Sequence, residues 1–383
     1  MADLPAIEPI RPGERILALD VLRGFAMLGV LIAYCLWNLG TAPTESFSRT
    51  DKALDEVAGF LIDGKFYTIL AFLFGLGFSI QLDRTPDDAT VVPVYRRRLA
   101  ALAVIGLAHA LLLRNGDILL PYALTGFLLI PFRRSRYPVL FAAAGIALLF
   151  PHIAAMIWQA TGLPFPQRPH LENAPYLVEN AAWVRYWYET ALFSWPTNLT
   201  LFLIGLYAGR RRLLARLSAD PRKLVATALA GLLAGTIFYL VRSQLLESGS
   251  GESLQRAMAG LLFTFHCWGM SSAYVAALLL LLKVPVGAKS LSPLAAIGRM
   301  ALTNYLLQPV VIVPLCLMFG WFDRFTPTKS LLLALAVFAL IQLPFSILWL
   351  RRFQFGPAEW LWRSLTYGRA IPLKTGAADY APV

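Results

Sequence analysis

His109 and Asp117 stand eight residues apart, separated by the apolar run Ala110–Leu113 and the polar turn Arg114, Asn115, Gly116. A neutral imidazole beside a carboxylate is held in one tautomer and raised in basicity, which is what a general base requires. A histidine within an apolar helix can instead make an interhelical hydrogen bond. Because a turn lies between the two residues, spacing alone leaves both readings open. Asp20 and Arg23, three residues apart, can pair on one helix. Tyr34 follows Arg23 by eleven residues, three turns later and on nearly the same face, so the two could line one groove about 16 Å long. Arg23 could also snorkel to lipid headgroups.

Further polar groups interrupt otherwise apolar stretches. Asp63 and Lys65 flank Gly64 before the run that ends Phe74, Gly75, Leu76, Gly77. They could solvate a helix entrance or reach the same outer cavity as His109. Gly75 and Gly77 suit close helix packing rather than a nucleotide loop, since no strand precedes them. Arg299, Thr303, Asn304, Tyr305 and Gln308 form a row of hydrogen-bonding groups expected to face a bundle interior. His152 and His266 show no ligand spacing with His109, so no metal is expected. Cys35, Cys267 and Cys316 lie in separate apolar runs and read as packing residues.

The elements that must position these groups are membrane helices. The 383 residues are 58% hydrophobic and 15% charged, with a mean hydropathy of +0.61, too apolar for a soluble domain of this length. Apolar runs of roughly 20 residues recur between short polar loops, as a bilayer crossing requires. The expected spans are 16–39, 57–80, 97–114, 118–132, 138–159, 194–209, 222–242, 257–282, 293–318 and 329–350. The fold class is therefore an all-α, polytopic transmembrane bundle of about ten spans with both termini in the cytoplasm. With that topology the cytoplasmic segments hold 22 Lys and Arg against nine on the other side, in agreement with the positive-inside rule. The net charge of +12 comes from these clusters at the ends of apolar runs, so nucleic acid is not an expected partner.

One transmembrane domain, 1–383, is expected, with five-span halves at 16–159 and 194–350 about an external loop at 160–193. That loop carries Trp183, Tyr186, Trp187 and Tyr188, suited to an interfacial helix or to a lid over an external site. The tail at 351–383 holds an amphipathic stretch with Trp360, Trp362 and Arg363 that could anchor at the cytoplasmic interface or contact a cytoplasmic donor.

The segments LDVLRGFAMLGV at 19–30, GKFYTILAFLFGLGF at 64–78, GDILLPYALTG at 116–126, GRMALTNYLLQ at 298–308 and FGPAEWLWRSLTYGR at 355–369 resemble the YeiB-like family of bacterial inner-membrane proteins, domain of unknown function 418. The opening LRG pattern also looks like that of a wider superfamily of transmembrane acyltransferases, including heparan N-acetyltransferase and bacterial O-acyltransferases. There an arginine in the first span is followed eleven positions later by His or Asn; here Arg23 matches and Tyr34 departs. The resemblance implies a multi-pass protein of the bacterial inner membrane that takes acyl-CoA from the cytoplasm and delivers its acyl group to an acceptor at or beyond the outer face. On that reading His109 is the general base and Asp117 its orienter. Arg23, Arg299, Asn304 and Tyr34 hold the donor, and Asp63, Lys65 and Asp20 face the substrate. The partners are the lipid bilayer, acyl-CoA and a periplasmic or membrane acceptor, with the oligomeric state open. The rival reading is a proton-coupled transporter or exporter using Asp63, Lys65, His109 and Asp117. Against it, no span shows in sequence the break of a discontinuous, substrate-coordinating helix.

Overall fold

A computed structural model describes residues 16–37, 39, 46–84, 87–113, 116–169, 175–193, 195–249, 253–321 and 324–374. Arg114 and Asn115 lie outside the described residues. The chain is helical along its length: α1 (Leu17–Trp37), α2 (Arg49–Leu61), α3 (Lys65–Arg84), α4 (Asp88–Leu112), α5 (Leu119–Leu129), α6 (Tyr137–Ala160), α7 (Tyr176–Glu189), α8 (Pro196–Arg210), α9 (Leu213–Ala219), α10 (Pro221–Glu247), α11 (Ser253–Leu281), α12 (Pro285–Arg299), α13 (Ala301–Phe319), α14 (Pro327–Val337), α15 (Leu343–Leu350) and α16 (Pro357–Tyr367). No strand occurs among the described residues, so the all-α class holds.

Among those residues, seven helical stretches are long and apolar enough to cross a bilayer: Leu17–Trp37, Arg49–Arg84, Tyr137–Ala160, Pro221–Glu247, Ser253–Leu281, Ala301–Phe319 and Pro327–Leu350. The expected spans 97–114, 118–132 and 194–209 fall on α4, α5 with its 3-10 extension Ile130–Arg134, and α8. Helix α5 has 11 residues and α8 has 15. At about 1.5 Å per residue, neither matches a hydrocarbon core of about 30 Å by itself. Bulky apolar side chains point outward, among them Leu340 and Ile146, 75% and 69% exposed. Such a surface is stable against lipid, not water.

The chain packs as two compact units that interleave along the sequence. The first comprises Met1–Tyr67, Asp87–Ala101 and Leu281–Val383; the second comprises Thr68–Pro86 and Leu102–Leu280. In the first, α1 is central and packs on α12, α13 and α14. Glycines allow its closest approach: a Cβ at Gly24 would sit 1.9 Å from the Leu294 carbonyl oxygen, and one at Gly298 would sit 1.8 Å from that of Asp20. Backbone meets backbone there, so no side chain can yield. In the second unit, α8 lies against α5 and α6. Phe202 stacks on Phe74 at 4.6 Å and meets Tyr122 edge-on. Of the two glycines expected to pack closely, Gly75 does, since its Cβ would reach 2.0 Å from the Phe202 carbonyl oxygen. Gly77 faces open space instead.

The ninth expected span is not one helix. It breaks at Met300, φ −116° and ψ 32°, between α12 and α13. The tenth contains a π-helical turn, Phe338–Gln342, that ends two residues before Pro344. Proline has no N–H to donate, so the regular ladder cannot continue through that position. Sequence reading misses both features because the residue pattern on either side of each remains helical.

Replacing Gly24 or Gly298 by alanine should lower thermal stability in detergent, since overpacking of this kind costs about 1–3 kcal/mol or more. Gly145→Ala, with open space around it, should leave the melting temperature unchanged or raised. Equal melting temperatures for all three variants would contradict the packing described.

Candidate functional site

Two polar clusters stand out, one in each unit. In the second unit, His109 sits one turn from the end of α4, and Asp117 lies just before α5. The His109 Nδ1 is 3.0 Å from Asp117 Oδ1, and each side chain is 3% exposed. The turn between the helices makes this contact, so the separation that spacing left undetermined is hydrogen-bonding distance. The other carboxylate oxygen, Oδ2, accepts from the Leu120 N–H at 2.7 Å, satisfying one of the open donors at the start of α5. Asp117 is thus held from two sides. Gly106 makes room for the arrangement: a Cβ there would fall 2.8 Å from Asp117 Oδ2 and 2.6 Å from the Leu120 nitrogen.

A proton on Nδ1 would face the Asp117 carboxylate, and the basic lone pair of a neutral imidazole would then lie on Nε2. The geometry therefore fits a general base with a carboxylate orienter.

The external loop forms α7, which packs on the end of α4. The Tyr176 hydroxyl donates to the Leu113 carbonyl, and Asn180 Nδ2 donates to the Leu111 carbonyl at 3.1 Å. Asn180 is buried. These bonds satisfy helix-terminal carbonyls that have no partner within α4. Tyr188, on the same helix, has its hydroxyl pKa pushed up, first by burial and then by the negative charge of Asp117. The sequence marked this loop only by its aromatic rings. Tyr176 and Asn180 were missed because a contact with residues more than sixty positions away leaves no local pattern.

In the first unit, Arg23 donates to Asp20 Oδ1 at 3.0 Å, the pair expected from their spacing. Arg299, at the end of α12, also lies in the field of Asp20. Tyr34 is buried on α1. Asn304 is fully buried, and its amide nitrogen contacts the Met300 carbonyl at 3.0 Å and Ser346 Oγ at 2.9 Å. Its donors serve the helix break rather than Arg23. Gln342, on the π-helical turn, donates to the Asn304 backbone carbonyl at 2.8 Å. Lys65 is fully buried and donates to the Gly59 carbonyl at 2.7 Å, across the turn where Gly64 takes φ +78°. Asp63 is exposed on that turn.

The break at Met300 exposes the N-terminus of α13, and Glu359 of α16 fills it. Its carboxylate accepts from the Leu302 N–H at 2.6 Å, the Thr303 N–H at 3.1 Å and the Thr303 hydroxyl. The Ala358 N–H returns a bond to Thr303 Oγ1 at 3.1 Å. A carboxylate at a helix N-terminus gains from both the open donors and the helix dipole. Burial pushes the Glu359 carboxyl pKa up, against the pull of these hydrogen bonds.

Two outcomes follow. Removing the α7 bonds in a Tyr176→Phe, Asn180→Ala double variant should raise hydrogen exchange across 175–193 by about tenfold or more, at about 1 kcal/mol per bond. Glu359→Ala should strand buried donors at a cost of about 1–3 kcal/mol and release α16, read as new protease cleavage within 351–369. Wild-type exchange or wild-type protection would contradict the respective contact.

The family model described as "Protein of unknown function (DUF418)" matches residues 208–369. The chain is 34% identical over 378 residues to the uncharacterized 39.9 kDa protein of the amylase 3′ region of Bacillus acidopullulyticus, covering 96% of this chain and 98% of that relative. It is 30% identical over 405 residues to YxaH of Bacillus subtilis (strain 168), covering 95% and 97%. It is 28% identical over 400 residues to YeiB of Escherichia coli (strain K12), covering 94% and 98%. No solved structure matches the chain. End-to-end similarity to these relatives and the match in the second half place the chain in the YeiB-like DUF418 family of membrane proteins.

Proposed function

We propose that the protein is a membrane-bound acyltransferase that moves an acyl group from cytoplasmic acyl-CoA to an acceptor at or beyond the outer face of the inner membrane. The observation that carries the reading is the buried His109–Asp117 pair at 3.0 Å. As an acceptor hydroxyl or amine attacks the thioester carbonyl, His109 Nε2 takes its proton. The carbon–sulfur bond then breaks, and the proton passes to the departing thiolate. Asp117 is a positioning residue: it fixes the tautomer and steadies the imidazolium that forms. Arg23 and Arg299, both in the first unit, are the cations suited to the donor's phosphates.

A second reading, proton-coupled transport of a small solute, draws support from the helix break at Met300 and the π-helical turn beside Asn304. Broken helices of this type line substrate paths in transporters. The His109–Asp117 pair would then relay protons. A base oriented by a carboxylate beside a helix hairpin fits transfer chemistry more specifically, and acyl transfer is the reading adopted.

In purified protein, His109→Ala should lower acyl-CoA turnover about 10²–10⁴-fold while donor binding persists. Asp117→Asn should lower it by a smaller factor and displace the pH–rate profile, which loss of stability alone would not do. Undiminished turnover in both variants, or proton-driven solute flux in proteoliposomes without CoA, would overturn the proposal.

A further inference from the structure

A group of basic side chains gathers in the second unit, near the end where α10 stops and α11 begins. Its floor is one stripe of α11: Arg256, Gly260 and Phe263, four and three residues apart and so on one helix face. From α6, Gln159 Oε1 accepts from Arg256 Nη2 at 2.7 Å. Two turns earlier on α6, His152 covers Gly260, where a Cβ would fall 3.0 Å from the imidazole Cε1. From α10, the Arg242 guanidinium lies 5.1 Å from the centre of the Phe263 ring.

Neighbouring contacts fix the levels of these groups. Gln255 donates to the Leu245 carbonyl, and a Cβ at Gly235 would sit 2.9 Å from Met270 Cγ. Between those points α10 and α11 run antiparallel, which sets Arg242 level with the turn from Gly260 to Phe263. Side chains lean toward the N-terminus of their helix; on α10 that direction leads away from the α10–α11 connection and into the bundle. The Gln159–Arg256 and His152–Gly260 contacts set α6 antiparallel to α11 in the same way. Arg242 and His152 therefore flank one turn of α11 from two helices, and Gly260 puts no side chain between them.

The protein leaves both side chains unsatisfied. Arg242 Nε and His152 Nε2 are shut off from solvent without a hydrogen-bond partner among the described residues, although both residues are only half-buried as a whole. Contact with an aromatic face stabilises a cation but supplies no acceptor for its N–H groups. An ionisable group left this way inside a membrane span is costly and calls for a partner. Phosphate suits the need: two of its oxygens match a guanidinium fork, and a third can accept from an imidazole protonated at Nε2. The surface beside the cleft is apolar, with Ile153 and Ile157 of α6 and Val241 and Leu246 of α10 45% to 57% exposed. A phosphate carried on hydrocarbon chains matches both parts.

We propose that Arg242 and His152, with Arg256 at the mouth of the cleft, bind the phosphate group of a membrane phospholipid. The inference stands whether or not the protein transfers acyl groups.

The test uses the full chain in detergent. Retained phosphatidylglycerol is counted by native mass spectrometry, its re-addition is titrated by thermal shift, and inorganic phosphate is titrated by calorimetry. Wild type, Arg242→Gln, Arg242→Lys and His152→Phe are compared, with Arg222→Gln at the opposite end of α10 as a variant outside the site. Arg242→Gln should weaken phosphatidylglycerol binding about tenfold or more. Arg242→Lys, which keeps the charge and loses the fork, should fall between it and wild type, and it serves if the glutamine variant does not fold. His152→Phe, which keeps the ring and loses its nitrogens, should also weaken binding, and Arg222→Gln should retain lipid as wild type does. If inorganic phosphate binds with the same dependence on Arg242 while no lipid is retained, the ligand is a soluble phosphate and the lipid assignment is overturned. Folded Arg242 and His152 variants that hold phosphatidylglycerol as tightly as wild type would overturn the site.

Discussion

The carboxylate of Glu359, seated on the N-terminus of α13, is the contact on which the arrangement of the first unit depends. A helix that starts within a membrane protein exposes N–H groups that water cannot reach, and leaving them unpaired costs several kcal/mol in hydrocarbon. Glu359 satisfies Leu302 and Thr303 and in the same act docks α16. From that docking follow the place of Trp362 against Arg98 and the place of Arg363 over Phe355. An apolar residue at 359 would leave α13 uncapped and the two arginines without their supporting rings.

The second unit rests on a similar economy of polar groups. Asp117 meets both the start of α5 and the imidazole of His109, so the residue that begins a helix also lies 3.0 Å from a buried histidine. Tyr176 and Asn180 close the end of α4 nearby. Among the described residues, Asp117, Tyr176 and Asn180 each answer a backbone demand at the end of one helix or the start of the next.

The parts of the fold legible in the sequence are those governed by short periods and long apolar runs. Helices such as α1, α6 and α10 announce themselves because a bilayer crossing needs an uninterrupted apolar stretch. The Asp20–Arg23 pair was readable because three residues bring two side chains to one helix face. The break at Met300 was not, since Arg299 and the polar row after it read as one face of a continuous helix, and the packing that interrupts the helix leaves no local signal. Gly77 looked like Gly75 in sequence, yet only Gly75 has a neighbouring backbone to admit.

By itself, the sequence determined that the chain is a helical membrane protein, which residue types could do acid–base chemistry, and where cations concentrate. Those properties follow from composition and from spacing within single helices. Only the tertiary structure decided that His109 and Asp117 meet, that Glu359 caps a helix beginning 58 residues earlier in the chain, and that Arg98 stacks on Trp362. These are contacts across turns and between distant segments, set by packing and by the demand that buried polar groups find partners, and neither leaves a mark in local sequence spacing.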